Sequence, residues 1–318
     1  MPRLSVILPT HNRPGLLAEA LSSLNEQTFT DWEAVIVDDA STPPVSLNNP
    51  RLRIIRHDVS QGGAAAKDTG IHHASGEVLA FLDDDDLYAP QYLECALAVL
   101  DHHPELDVVF MGVTWFGTGA TWGQKNYDVA MSKCLAEASG DAITKDLTLF
   151  DKKLVKALLN SVPMAFQRPV VRAEALARIG EYRQDCLLWD CDWAISAALN
   201  SRSALITEGL YLQRADGQGF SSKPNRILEH MNSGIEIKER LLRETKGGRY
   251  TKFAALFRRA AAEAWFNLAW HHYQQENRSQ AIPALLRSMS RKFMPSQLKL
   301  LARLILPFDV KRANANKV

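Results

Sequence analysis

Cysteines, long apolar runs and metal-binding motifs are scarce in this chain of 318 residues. Its four cysteines form neither paired C-x-x-C motifs nor a disulfide framework, which argues against a structural zinc site and a disulfide-stabilised fold. No apolar run approaches the roughly 20 residues that a membrane-spanning helix needs, and the first residues lack the apolar stretch of a secretory signal. We therefore expect a cytoplasmic protein, with peripheral contact at the inner face of the membrane as the alternative.

The charge is divided unequally along the chain, although the formal net charge is only +1. From Arg226 onward there are 18 Lys and Arg against 7 Asp and Glu, whereas the preceding residues carry 19 against 29. Such a basic segment is expected either to meet an anionic partner, such as a membrane surface, or to be a solvated face. No nucleic-acid partner is expected.

Short apolar runs alternate with helical patterns over the first hundred residues. The runs Leu4–Leu8, Ala34–Val37, Leu52–Arg56 and Val78–Leu82 predict buried strands, and apolar residues at helical spacing follow between them. This alternation predicts an α/β fold with a mostly parallel, Rossmann-like sheet flanked by helices.

The pattern changes twice further along the chain. From Thr114 to about Asn160 it weakens and becomes rich in aromatic residues and glycine, which predicts a loop-rich segment that contacts a sugar acceptor or covers the core. Beyond Pro224 the composition becomes helical and basic. We therefore predict two domains, 1–224 and an α-helical C-terminal region, 225–318.

Four consecutive aspartates, Asp83 to Asp86, directly follow the predicted strand Val78–Leu82. Open α/β sheets place their ligands at the carboxyl ends of strands. Because adjacent carboxylates repel one another, they need a hard cation, a positive partner or open solvent. A divalent ion with a diphosphate on its other side would satisfy them. A solvated acidic turn is the alternative.

Four motifs in this order resemble family 2 glycosyltransferases, which have the GT-A fold. They are Ser5–Arg13 (SVILPTHNR), Val37–Ser41 (VDDAS), Gly62–Gly70 (GGAAAKDTG) and Gly76–Asp86 (GEVLAFLDDDD). The resemblance covers residues 3–223. It implies a metal-dependent, inverting glycosyltransferase that moves a sugar from a nucleoside-diphosphate sugar, with UDP favoured, to a glycan or glycolipid acceptor in cell-surface or exported polysaccharide synthesis.

The resemblance also implies roles for particular residues, with the donor bound by 1–110 and the acceptor by 111–224. Asp39 stands where the family accepts a hydrogen bond from a uracil-type base, and Lys67 stands where it usually has Arg. Asp85 would be the main ligand of Mg²⁺ or Mn²⁺, both of which prefer oxygen ligands. Further nucleotide contacts are implied for Pro9, Thr10, Asn12, Arg13, Asp83 and Asp84, and Asp83 is also implied as a metal ligand. Asp38 and Asp39 have an alternative role that needs no ligand, which is to cap the end of the strand.

Inverting transfer needs a general base that takes the proton of the acceptor hydroxyl. The family supplies it from a Glu-Asp pair followed by an aromatic residue. Asp192-Trp193 matches the last two positions with Cys191 in place of Glu, so Asp192 is predicted as the base and Asp190 as the second choice. Helix capping is the alternative for both. Arg214 is predicted to reach the diphosphate, and the glycines at 217 and 219 to permit closure of a loop.

Two other classes of protein compete with this prediction. A nucleotidyltransferase would need a Gly-rich loop bearing Lys or Arg after the first strand, which the segment Pro9–Arg13 lacks. A catalytically silent nucleotide-sugar-binding or scaffold protein would act through its helical tail. That tail ends in a basic amphipathic stretch with Lys299, Arg303 and Lys311, which is predicted to meet anionic lipid, a second subunit in a homodimer, or a neighbouring helix.

Overall fold

The computed structural model describes residues 1–217 and 226–305, in which the chain forms two compact units, 1–223 and 224–318. Lys311 and Gly219, singled out above, lie outside the described residues. The first unit is built on a ten-stranded sheet. Its strands are β1 (Leu4–Thr10), β2 (Trp32–Asp38), β3 (Leu52–Arg56), β4 (Val78–Phe81), β5 (Leu87–Tyr88), β6 (Val108–Phe116), β7 (Asp141–Ala142), β8 (Leu147–Phe150), β9 (Pro169–Arg172) and β10 (Ser203–Arg214).

Helices connect these strands and cover the sheet. In the first unit they are α1 (Pro14–Asn25), α2 (Gly63–His73), α3 (Tyr92–His102), α4 (Ala120–Ala138), α5 (Leu154–Asn160), α6 (Leu176–Ile179) and α7 (Trp189–Asn200). Pro14 suits the first turn of α1, where its missing N–H has no helical partner to lose. The strands β1, β2 and β4 are almost wholly buried, as expected of central parallel strands.

The sheet has the order β3-β2-β1-β4-β9-β6-β10-β8-β7, with β5 paired to β10. The first four strands of this order are parallel, and β6 is parallel to β10. The antiparallel β9 separates the two parallel groups, and β5, β7 and β8 also pair in antiparallel fashion. The predicted α/β class is confirmed, but the sheet is mixed where a mostly parallel one was expected. The carboxyl ends of β1, β2 and β4 lie at one edge.

The segment predicted to be loop-rich is largely regular. It contains the nineteen-residue helix α4, the strands β7 and β8 and the helix α5. In α4 only four residues are buried, namely Gly123, Met131, Cys134 and Ala138. Because so few of its nineteen positions face the core, the helical periodicity in the sequence is weak.

The second unit consists of helices and has its own core. Its helices are α8 (Ile227–Lys246), α9 (Ala254–Gln274), α10 (Arg278–Arg291) and α11 (Pro295–Ile305). Asn277 caps α10 by accepting a hydrogen bond from the backbone N–H of Gln280. Among the described residues, no helix is both long and apolar enough to span a membrane. The buried core consists of Ile235, Leu268, Ala269, Tyr273, Ala281, Ala284, Leu285, Leu300 and Leu304.

Candidate functional site

The acidic cluster Asp83–Asp86 lies just beyond the carboxyl end of β4, beside the end of β1. Thr10 Oγ1, at the end of β1, donates a hydrogen bond of 2.7 Å to Asp84 Oδ2. Arg13 Nη1, at the start of α1, donates to Asp84 Oδ1 and to Asp85 Oδ2, each at 3.1 Å. The loop after β1 is therefore tied to the middle two carboxylates of the cluster.

The outer two carboxylates are compensated by other groups. Asp83 lies between Lys67 Nζ and Arg168 Nη2, at 2.9 Å from each. Burial alone would raise its pKa, but Arg168 and then Lys67 hold the pKa of Asp83 well below its usual range. Asp86 is fully buried and accepts hydrogen bonds from Tyr211 Oη, Gln213 Nε2 and the Arg214 backbone N–H. Both aspartates are thus held by the fold itself.

Asp84 and Asp85 are short of positive charge. Burial raises the pKa of Asp84 to about 6, against the opposing effects of Thr10 and Arg13. Burial, followed by the charge of Asp83, also raises the pKa of Asp85. Arg13 is the cation that bridges both carboxylates, and it is about one-third exposed. Burial raises the pKa of Asp86 further, to about 8, but that side chain is fully buried, so the Asp84–Asp85 pair beside the partly exposed Arg13 is the part of the cluster that a further cation can reach.

The residues present fit a divalent metal that is completed by a ligand. The described residues contain no group of three or more His, Cys, Asp or Glu side chains that could hold a metal on their own. Mg²⁺ binds typically through one or two carboxylates together with substrate phosphates and water. Asp85 and Asp84 supply that donor set, whereas Asp83, predicted as a second ligand, is occupied by Lys67 and Arg168.

Lys67 is buried on α2, with only 1% of its surface exposed. Its Nζ lies 2.9 Å from Asp83 Oδ1 and 4.8 Å from the ring centroid of Trp189. The rings of Phe81 and Tyr182 are each 5.8 Å from the same atom. An ammonium group has three donors, so the position can also serve an anionic ligand that reaches this cluster.

The two aspartates at the end of β2 organise the loops around them. Asp38 accepts backbone hydrogen bonds from Ser41 and Val45 and pairs with Arg56. The carboxylate oxygens of Asp39 contact His57 Nδ1, Ser60 Oγ and two backbone N–H groups, those of Gln61 and Gly62, at 2.7 to 2.9 Å. A carboxylate has about four acceptor positions. A base that binds Asp39 must therefore share or displace one of these contacts.

The loop after β1 interlocks with the loop after β2. The backbone N–H of Asn12 donates to Ser41 Oγ at 2.9 Å, and Asn12 Oδ1 accepts from the Thr42 backbone N–H at 2.7 Å. Asn12 and Ala40 both have left-handed backbones, with φ of 56° and 64°. Left-handed conformations in non-glycine residues cluster at ligand sites. Pro9 lies half-buried at the end of β1, next to this junction.

Asp190 and Asp192 lie in the first turn of α7 but differ in exposure. Asp192 is 3% exposed, whereas Asp190 is half-buried. Side chains two positions apart on a helix are separated by about 200° around its axis, so they point to nearly opposite sides. The charge of Asp190 contributes to raising the pKa of Arg168, which itself binds Asp83. Asp190 therefore lies within electrostatic range of Arg168, and its Oδ1 accepts a hydrogen bond of 2.8 Å from the Cys191 backbone N–H.

Two arginines approach the cluster from β10 and from the start of β9. Arg214 Nε donates to the backbone carbonyl of Asp85 at 2.9 Å, and its Nη2 pairs with Glu19 Oε2. Arg168 pairs with Asp83 and stacks on the ring of Tyr211. The sequence prediction missed Arg168, because it belongs to an irregular segment that follows a short 3₁₀ helix and matches no motif.

An aromatic cleft of about 240 Å³ adjoins this region. Trp122 on its rim is 76% exposed, and Trp115 Nε1 is buried without a hydrogen bond to any described residue. Gln167 lines the cleft and precedes Arg168. Trp115 pairs in register with Gln213, which binds Asp86. The other lining residues are Gly123, Asn126, Tyr127, Ala130, Ser161, Val162, Pro163 and Met164.

Comparison with known proteins agrees with this arrangement. The family model "Glycosyl transferase family 2" matches residues 5–158, the part that carries the acidic cluster and its loops. Residues 5–158 are therefore similar to glycosyl transferase family 2, which confirms the resemblance.

One curated relative and two solved structures illustrate the similarity. The relative, "UDP-Glc:alpha-D-GlcNAc-diphosphoundecaprenol beta-1,3-glucosyltransferase WfgD" of Escherichia coli, is 29% identical over 30% of this chain and 40% of its own length. The curated relatives are matched over less than half of their length.

The solved structures share the fold over most of both chains. S. aureus TarS 1-349 in complex with UDP-GlcNAc has a TM-score of 0.63 at 18% identity, covering 91% of this chain and 81% of that one. The mannosyltransferase PcManGT from Pyrobaculum calidifontis, in complex with GDP-Man and Mn²⁺, has a TM-score of 0.57 at 19% identity, covering 99% and 84%. The fold is therefore that of GT-A glycosyltransferases.

Arg168 provides a test of how the cluster is held together. We expect Arg168→Met to lower the free energy of unfolding at pH 7.5 by about 3–5 kcal/mol, because Asp83 and Asp86 lose their buried cation. The loss should be smaller at pH 5, because carboxylates without that cation have higher pKa values and take up protons more readily. Urea denaturation at both pH values measures this.

The matched control is Arg178→Met, which breaks the exposed pair with Asp107. It should cost at most about 1 kcal/mol at either pH. Equal losses in the two variants would show that Arg168 does not stabilise the cluster.

Proposed function

We propose that this protein is a metal-dependent, inverting glycosyltransferase that uses a nucleoside-diphosphate sugar. The acceptor is a glycan or glycolipid of cell-surface or exported polysaccharide, and UDP is the preferred nucleotide. The observation that carries the proposal is the Asp84–Asp85 pair, which is buried, short of positive charge and placed at the carboxyl ends of parallel strands in a family 2 domain. WfgD and the TarS complex, which are named for UDP-sugars, support the choice of donor.

The donor is proposed to lie over the edge formed by β1, β2 and β4. Asp39 and the interlocked loops with Pro9, Thr10 and Asn12 would surround the base and ribose. Lys67 and Arg214 would face the diphosphate, where their charge opposes the negative charge that develops as the sugar–phosphate bond breaks. Arg13 would give up one of its carboxylate contacts, because it occupies the position between Asp84 and Asp85.

Asp85, with Asp84 beside it, would hold a divalent ion, and the PcManGT complex with Mn²⁺ supports this choice. Such an ion supplies Lewis-acid stabilisation of the leaving diphosphate. Asp83 would keep Lys67 and Arg168 in place. In this proposal Asp84 and Asp85 bind the ion, while Asp83 and Asp86 stabilise the fold.

Asp190 is proposed as the general base, in place of Asp192, which the sequence motif had favoured. A base must reach the acceptor hydroxyl, and the half-buried Asp190 is more accessible than Asp192, which is 3% exposed. The carboxylate takes the hydroxyl proton while the acceptor oxygen bonds to the anomeric carbon. The bond from that carbon to the phosphate oxygen breaks, and the nucleoside diphosphate leaves.

The acceptor is proposed to lie in the aromatic cleft beside Trp115 and Trp122. Aromatic faces bind the apolar faces of sugars, and the buried N–H of Trp115 would gain a hydroxyl acceptor. A glycolipid acceptor would place the reaction at the inner face of the membrane. WfgD, which is named for a diphosphoundecaprenol-linked sugar, supports an acceptor of that kind.

Calorimetry with UDP, GDP, CDP and dTDP, each with and without Mn²⁺, tests the donor site. We expect one nucleotide to bind only with the metal, and Asp85→Asn to weaken that binding by at least about 10- to 100-fold. The control Asp101→Asn changes an exposed pair with Arg3 and should bind like the unaltered protein. Metal-independent binding, or full binding by Asp85→Asn, would remove the metal role. If the folded protein binds none of the four nucleotides, the alternative of a catalytically silent scaffold protein is favoured.

Release of nucleoside diphosphate in the presence of octyl glycosides tests the base. We expect Asp190→Asn to bind the donor normally but to lose about 10²- to 10⁴-fold in transfer rate, since proton removal is lost. Asp192→Asn, two residues away on the same helix, is the matched control and should retain transfer if it folds. A loss confined to Asp192→Asn would restore the motif-based prediction.

The same transfer assay tests the acceptor cleft. Trp122→Ala should raise the KM for the best octyl glycoside by about 2- to 10-fold, because one stacking surface is lost, and should leave the donor affinity unchanged. Val129→Ala, on the same helix and outside the cleft, is the control. Unchanged KM for the acceptor would place the acceptor elsewhere.

A further inference from the structure

We propose that helices α10 and α11, with the turn between them, form a surface that binds anionic phospholipid bilayers without spanning them. We name residues 278–305 the basic-apolar surface. The inference concerns the second unit alone and requires neither donor binding nor sugar transfer. It goes beyond the proposed reaction because it assigns membrane contact to particular side chains.

The charge of this segment has one sign only. Six basic residues and no Asp or Glu occur between positions 278 and 305. Lys292, Lys299, Arg287 and Arg303 are all exposed. Arg287 stacks on Trp265 and Arg303 on Trp270, with distances of 4.7 and 5.4 Å to the ring centroids. The four exposed cations therefore have no acidic residue within the segment, and two of them stack on indole rings, whereas Arg291 pairs with Glu239 outside the segment.

The same segment exposes more apolar surface than its own packing explains. Its large exposed apolar side chains are between 40% and 72% exposed, and they are Ile282, Leu286, Phe293, Leu298 and Ile305. The apolar residues that face the core are different ones, such as Leu285 and Leu300. Scattered single apolar residues are normal on protein surfaces, but five within 28 residues form a concentration.

Each helix divides into three sectors around its axis. On α10, Ile282 and Leu286 are four residues apart and share an exposed side of the helix, with Arg287 at the edge of that side. On α11, Leu298 and Ile305 are seven residues apart and share an exposed side, with Lys299 at its edge. The opposite sector of each helix is buried. An exposed apolar strip bordered by cations is the pattern of helices that lie in the membrane interface, where the apolar strip enters the acyl boundary and the cations meet headgroups.

Charge complementarity selects the bilayer over a second copy of the chain. A symmetric dimer through this surface would place the same patch on both subunits, so its four exposed cations would face four others. An anionic bilayer offers opposite charge to the cations and an apolar layer to the five side chains. A single partner thus satisfies both features of the surface.

The test is flotation of the full-length protein with vesicles of phosphatidylcholine alone or with phosphatidylglycerol. We expect binding to the anionic vesicles, weakened by salt, and little binding to the neutral ones. Lys292→Gln with Lys299→Gln should weaken binding by about 10- to 30-fold, since two surface cations are lost. Leu286→Ser with Leu298→Ser should weaken it by about tenfold or more, since apolar contact is lost.

The control pair is Ile143→Ser with Lys145→Gln, which removes one exposed apolar residue and one exposed cation from the first unit. It should leave vesicle binding unchanged. Circular dichroism and nucleotide calorimetry on every variant establish that fold and donor binding persist, so failure here is distinguishable from failure of the proposed reaction. Three outcomes would overturn the inference. The unaltered protein does not bind vesicles, it binds neutral and anionic vesicles equally, or both surface variants bind anionic vesicles as the unaltered protein does. Light scattering measures the oligomeric state. If the unaltered protein is a dimer that does not bind vesicles, and the double variant Leu286→Ser, Leu298→Ser is a monomer, the surface binds a second copy of the chain instead.

Discussion

Electrostatic repulsion among four consecutive carboxylates is the constraint on which the first unit depends. Asp83 to Asp86 follow a buried strand, so solvent cannot screen them as it would in an exposed turn. The fold places cations and donors around them from four directions: the loop after β1, α2, the start of β9 and β10. The outer two carboxylates receive most of this support. The inner two share the partly exposed Arg13, and the proposed position of a further cation rests on this difference.

The supporting groups also explain why the loops around the cluster are rigidly connected. Arg168 joins the cluster to β9, and Tyr211 and Gln213 join it to β10. Asp39 fixes the segment from His57 to Gly62, which leads into the helix bearing Lys67. A ligand at this edge would therefore meet side chains already held in place, which lowers the entropy lost on binding.

Much of the fold could be predicted from the sequence, because local patterns encode it. The runs of apolar residues before Asp38 and Asp83 marked the ends of β2 and β4, and carboxyl ends of parallel strands converge at one edge. Three features could not be predicted. Arg168 reaches the cluster from an irregular segment 82 residues beyond Asp86 in the chain, so no local pattern identifies it. The helix α4 buries only four of its nineteen residues, so its sequence lacks a clear apolar periodicity. The difference in exposure between Asp190 and Asp192 depends on the rotation of α7, which a motif does not specify.

The separation of charge along the chain has a physical consequence for the two units. A cluster of carboxylates attracts a cation and the phosphates that accompany it, but the same charge opposes approach to an anionic surface. A basic unit with exposed apolar side chains has the opposite properties. Mixing the two compositions in one unit would neutralise both, because the Lys and Arg residues would pair with the aspartates. Their separation in sequence leaves an excess of carboxylates before Arg226, where a cation site is proposed, and exposed cations without acidic neighbours in sequence at residues 278–305. The net charge of +1 is therefore the sum of two opposed charge excesses, about −10 before Arg226 and +11 from Arg226 onward.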